Sequence, residues 1–128
     1  MMRGVLLVAL GGALGSVARF AIGNTVHALW PMRFPLATLG VNAIGSLLIG
    51  VIYVLIAERA VLHPEWRSIV MVGVLGGFTT FSTFSLETVT LLEHGLGAHA
   101  LAYVLASLLL CIGGAWLGMG LARMAWSI

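Results

Sequence analysis

The sequence predicts an all-α membrane protein in which four helices cross the bilayer and the third is interrupted near its middle. Three observations carry that prediction. Of the 128 residues, 61% are hydrophobic and 8% charged, whereas soluble domains are about 45 to 50% apolar and about 25% charged. Two stretches of 23 residues, Pro35 to Ala57 and Ala100 to Ala122, contain no charged residue, and a bilayer-crossing helix needs about 20 mainly apolar residues. The third is the passage Gly76-Gly77-Phe78-Thr79-Thr80-Phe81-Ser82-Thr83-Phe84-Ser85, which sets paired glycines and clustered hydroxyl groups inside another apolar stretch.

The first span covers residues 4–30 and is apolar except at Arg19 and His27. It is not read as a signal peptide, because it carries Arg19, runs on to Trp30 and lacks a small-residue cleavage site in the expected place. The second span covers 35–57, the third 68–92, with Ser68 to Leu86 free of charge, and the fourth 98–122. Residues 30–35, Glu58 to Arg67 around His63-Pro64, and Glu93 to Gly97 hold the turn-forming and polar residues, as links should. A single transmembrane domain over 1–128 is expected, with no extramembrane domain.

All six basic residues are Arg and all four acidic residues are Glu, for a net charge of +2. They form no dense basic patch, so nucleic acid is not an expected partner. Arg3, Arg59, Arg67 and Arg123 fall on the side shared by both termini and the second link, against Arg33 on the other. That bias favours cytoplasmic termini, and it is small enough to permit insertion in both orientations. Cys111 is the lone cysteine, which excludes an intrachain disulfide. The chain shows no zinc-spaced cluster, nucleophile and base pair or cofactor motif, so it is not read as an enzyme.

Helices in lipid associate through small residues and buried hydrogen bonds. Gly11, Gly15 and Arg19, each four apart, share one face of the first helix, which points Arg19 toward protein or water. Thr38, Asn42, Ser46 and Gly50 form a stripe on the second helix. His99, Tyr103, Ser107 and Cys111 form another on the fourth, with Gly114 and Gly118 as a close-packing pair. Packing explains any one stripe. Three together, including an Asn and an Arg, favour a polar pathway. Cys111 and the methionines are read as packing residues, and the four histidines as solvated groups near span ends.

Irregular backbone at membrane depth is tolerated only when buried in protein or lining water. A break over Gly76 to Thr80 would expose carbonyls suited to a hard cation and turn the positive end of the following half-helix toward an anion. Phe81 and Phe84, three apart, could present electropositive ring edges to that anion. Hydroxyl and amide donors from Ser82, Thr83 and Asn42 could replace part of its hydration shell. Glu87, the only acidic residue within an apparent span, is read equally as an interfacial carboxylate or a pathway group.

Three motifs carry a resemblance that covers nearly the whole chain. Gly11-Gly12-x-x-Gly15-Ser16-x-x-Arg19-Phe20, Thr38-Leu39-x-x-Asn42-x-x-Gly45 and the run from Gly76 to Ser85 followed by x-Glu87 closely resemble the bacterial fluoride channel family, the fluoride-specific exporters. The fourth span has no comparably distinctive run. The resemblance implies a passive fluoride-selective channel of the bacterial cytoplasmic membrane that protects the cell from fluoride. It further implies an antiparallel, dual-topology homodimer with two pores and a structural sodium ion at its centre. On this basis the backbone carbonyls of Gly76 and Thr79 from both subunits would hold the sodium. Phe81 and Phe84 would line the pores beside Asn42, with Ser82, Thr83, Tyr103 and Ser107 as polar contacts, and Arg19 would make the vestibule favourable to anions. Thr38, Thr80 and Glu87 are further candidates without an assigned role. A second copy of the chain, membrane lipid and fluoride are the implied partners.

Two other classes compete with this reading. A small proton-coupled multidrug exporter needs a membrane-embedded carboxylate. Only Glu87 offers one, and the first span carries Arg19 instead. A non-transporting subunit of a membrane complex needs no more than the glycine faces.

Overall fold

The computed structural model describes residues 1–127. The helices are α1 (Met2–Leu29), α2 (Leu36–Glu58), α3 (67–78), α4 (Phe81–Glu93) and α5 (Gly97–Ala125). Because α3 and α4 share the apolar stretch Arg67–Glu93, the described residues contain four segments long and apolar enough to cross a membrane. The last turn of α2, Val54–Glu58, and the start of α3, Arg67–Leu75, are wound as π-helix, a wide form that is rare in long runs.

Local chemistry sets the ends. Pro35 precedes α2 and has no N–H to leave unsatisfied, while its carbonyl accepts the Leu39 N–H at 3.2 Å. At the end of α4, Gly95 adopts φ +73°, a left-handed conformation that glycine takes without steric cost. The Leu96 N–H then reaches back to the Leu91 carbonyl at 2.9 Å and the Gly95 N–H to Leu92 at 3.1 Å, which satisfies two carbonyls of the last turn.

Packing follows the glycines. A methyl group at Gly11 would overlap the Ile69 carbonyl, and one at Gly15 the Val74 carbonyl, so α1 and α3 meet backbone to backbone. Gly50 and Gly118 play the same part between α2 and α5, against the carbonyls of Ala115 and Leu47. Such close approach supplies the dispersion contacts that hold helices together where lipid offers no hydrophobic drive. Leu91, Ala100 and the fully buried Tyr103 form a core cluster with Phe34, Leu39, Phe84 and Leu96 around it. Large apolar side chains such as Leu14, Leu109 and Trp116 face outward. At one end of the bundle Arg3 pairs with Glu65 and Arg123 with Glu58, and the Arg59 Nε–H donates to the Trp126 carbonyl. Both termini are thereby tied to the second link, as a four-span topology requires.

The backbone between α3 and α4 narrows one expectation. Gly76, Gly77 and Phe78 are helical, and only Thr79 (φ −87°, ψ 156°) and Thr80 (φ −151°, ψ 121°) are extended. Gly77 serves packing instead, because a Cβ there would lie 2.7 Å from the Gly12 carbonyl oxygen. Thr79 therefore lies outside α4, which begins at Phe81.

Candidate functional site

Side chains from α1 and α2 hold the two extended residues. The Asn42 Nδ2–H donates to the Thr80 carbonyl at 3.0 Å, while its Oδ1 accepts the Thr80 N–H at 2.8 Å. A reversed amide would set donor against donor, so this pair fixes the orientation of Asn42. On the α1 side, the Arg19 Nε–H donates to the Gly77 carbonyl at 3.1 Å. The Thr80 hydroxyl caps α4 by accepting the Thr83 N–H at 3.3 Å, and it donates to the Thr83 hydroxyl at 3.1 Å. Capping is a standard use of Thr, since its oxygen satisfies an N–H that the helix cannot.

These bonds redirect the donors that a continuous helix would send to Gly76 and Thr79. The Thr80 N–H goes to Asn42 and the Thr83 N–H to the Thr80 hydroxyl, so both carbonyls lose their helical partners. Among the described residues, no backbone hydrogen bond replaces them. An unpaired carbonyl at membrane depth costs several kcal/mol. The two free carbonyl oxygens are hard donors of the kind a cation such as sodium takes, and they fit such an ion as part of a larger oxygen set.

A cavity of about 300 Å³ opens beside this stretch. Its wall includes Asn42, Ser46, Gly76, Thr79, Thr80, Phe81, Phe84, Ser107 and Cys111. The rings of Phe81 and Phe84 stand 5.4 Å apart, tilted by 49°, and Phe84 in turn lies 5.0 Å from the Tyr103 ring. Phe81 is 76% exposed on the outer face. Ser107 is buried, yet its Oγ has no hydrogen-bond partner among the described residues. A buried hydroxyl without a partner in a cavity wall marks a place for a polar ligand or water.

The other expected site residues lie elsewhere. Arg19, Thr38 and Thr83 line a second cavity of about 200 Å³ together with Asn24, and Thr80 alone belongs to the walls of both. A third cavity of about 520 Å³, beneath the link between α1 and α2, shares Asn24 and Thr38 and adds His27, Arg33 and Glu87. Glu87 is engaged there, since the Tyr103 hydroxyl donates to its Oε1 at 2.9 Å. Ser82 is exposed, its hydroxyl 3.4 Å from that of Thr80. The expected polar contacts are thus shared between cavities, with Asn42 and Ser107 in the wall of the first and Thr83 in that of the second. Ser46, a member of the polar stripe on the second helix, and Cys111, read from sequence as a packing residue, also line the first cavity. Asn24 escaped notice because it stands one residue off the face that carries Arg19 and Gly23.

Four apolar spans and polar side chains converging on two extended residues define a multi-pass membrane protein with a polar centre. Comparison with known proteins makes this specific. Residues 6–119 match the model of the family described as CrcB-like protein, Camphor Resistance (CrcB), and the chain belongs to that family. A relative from Coxiella burnetii, named "Fluoride-specific ion channel FluC", is 47% identical over 120 residues, 93% of this chain and 97% of the relative. Proteins of the same name from Magnetococcus marinus and Stutzerimonas stutzeri are 45% and 46% identical, over 91% and 97% of this chain and 95% and 100% of theirs.

Proposed function

We propose that the chain is a passive, fluoride-selective ion channel of the bacterial cytoplasmic membrane that lets fluoride leave the cell. The names of its relatives support the substrate. Within the structure, the carrying observation is the cavity whose wall brings together Asn42, Ser107 and the rings of Phe81 and Phe84, with a buried Ser107 hydroxyl that has no hydrogen-bond partner among the described residues. Ring edges and neutral donors attract a small anion without the deep trap a fixed cation would make, and a conducted ion must be able to leave. Asn42 contributes its one remaining N–H, and Ser107 its hydroxyl. Tyr103 donates to Glu87 in this structure, so its contribution to the pathway is to support Phe84. Arg19, beside Asn24 and Thr38, draws anions into the cavities on the opposite side of the extended stretch.

The proposal extends to the assembly. Phe81 and Gly76 are exposed on one face beside the free carbonyls, and backbone left unpaired there is unstable against lipid. A second, antiparallel copy covers that face and doubles the number of carbonyls. Gly76 and Thr79 of each copy would then hold a sodium ion, which supplies when bound a positive charge that satisfies all four oxygens. The ion is structural and the transport passive. Hydrogen fluoride crosses lipid uncharged and ionises inside, and the negative-inside potential drives the anion out with about 2.3 kcal/mol per 100 mV.

The test is efflux from liposomes holding the purified protein, loaded in parallel with fluoride or chloride, with a potassium ionophore removing charge build-up. Rapid fluoride release with little chloride release is expected. No fluoride release from folded protein would refute the proposal.

A further inference from the structure

We infer that Arg19 is a positioning residue for the cation site, acting through the Gly77 carbonyl, in addition to any pull its charge exerts on anions. The inference rests on the sodium reading above. A helix that stops leaves its last carbonyls without donors, and here side chains sort the carbonyls from Gly76 to Thr80, at the helix end and across the two extended residues. Arg19 from α1 takes that of Gly77 at 3.1 Å, and Asn42 from α2 takes that of Thr80 at 3.0 Å. Gly76 and Thr79 are left free and belong to the wall of one cavity. Gly77 has no Cβ, so sterics constrain its peptide plane less than that of any other residue type. A fixed donor at its oxygen is what holds that plane, and with it the direction of the neighbouring Gly76 carbonyl. Without the donor, the Gly77 oxygen becomes a competing ligand one residue away and the pair loses its aim.

Charge and hydrogen bond can be separated, because a glutamine places its amide nitrogen the same number of bonds from Cα as the arginine Nε. Arg19→Gln and Arg19→Met both remove the charge, and only the former keeps the donor. The readout is the midpoint of sodium-dependent thermal stabilisation of the purified, detergent-solubilised protein. The Arg19→Gln variant should match the wild type, and Arg19→Met should need at least about tenfold more sodium, the usual penalty for losing a residue that orients a metal ligand. Equal midpoints in the two variants overturn the inference, whatever happens to fluoride flux. If Arg19→Met does not fold, Arg19→Lys replaces it, keeping the charge but setting a methylene where Nε stood. A weaker sodium response in Arg19→Lys than in Arg19→Gln supports the inference, and the reverse order overturns it. A wild type with no sodium-dependent stabilisation overturns the sodium reading itself, and this inference with it.

Discussion

Asn42 uses both ends of its amide on Thr80, so its replacement is a structural and an electrostatic change at once. In Asn42→Asp the carboxylate still accepts the Thr80 N–H. It also turns a second oxygen toward the Thr80 carbonyl and adds a negative charge beside the rings. Fluoride efflux should fall by at least about tenfold, equivalent to about 1.4 kcal/mol of added barrier, as measured with a fluoride electrode on liposomes. Unchanged efflux would return Asn42 to a packing role. The rings make a sharper test. Phe81→Ile and Phe84→Ile keep apolar bulk and lose the electropositive edge, so both should abolish fluoride flux while the protein still elutes as the wild type does. Normal flux in both would refute the ring-edge argument. Cys111, read as a packing residue on the stripe that carries Ser107, also belongs to the cavity wall that includes Ser107.

At the scale of helices, the glycine stripes had two possible uses, packing within the chain or packing against a neighbour. The structure spends Gly11 and Gly15 on α3, and Gly50 and Gly118 on α5 or α2. Gly118→Val should therefore separate α2 from α5. Because the clash is with the Leu47 backbone, no rotamer relieves it, and overpacking of this kind costs about 1–3 kcal/mol or more. Loss of a monodisperse peak in size-exclusion chromatography is the expected result. Gly95→Ala is milder. It strains one left-handed residue and should lower stability by about 1–2 kcal/mol, seen as a drop of a few degrees in the thermal midpoint with flux retained. The paired glycines of the third segment taught a different lesson. Their low helix propensity pointed to a break over Gly76 to Thr80, and within that range Gly76 and Gly77 stay helical while Thr79 and Thr80 are extended. What the helix gives up at Thr79 and Thr80 is supplied by one tertiary pair, Asn42 with Thr80, and one local cap, the Thr80 hydroxyl on the Thr83 N–H.

For the whole molecule, the ion pairs that tie both termini to the second link lie at the surface, and surface pairs add little to stability. Their value here is topological, gathering Arg3, Arg59 and Arg123 at one end. With Arg67 on that side and Arg33 on the other, the orienting bias is weak, and a terminal tag should be reachable from both faces of the membrane. Protection of the tag on one face throughout would rule out dual insertion. Transport by proton exchange makes the opposite demand, a carboxylate that must titrate. Glu87→Gln should keep fluoride efflux within a few-fold of wild type, because a glutamine can still accept the Tyr103 hydroxyl. Abolished transport would revive the exporter reading.

The four spans, their links and the oddity of the third were legible in the sequence. Each rests on composition and on the spacing of charges, glycines and prolines along one strand of text. The faces of Arg19 and Asn42 were legible too, because helical periodicity is local. Their hydrogen-bond partners were not. Arg19 meets Gly77 across 58 positions and Asn42 meets Thr80 across 38, and no local rule ties residues so far apart. Tertiary packing, together with the local Thr80 cap, decided where the helix opens and which carbonyls stay free, and tertiary packing decided which cavity each polar group lines. Those outcomes depend on donors from one helix competing with the backbone of another.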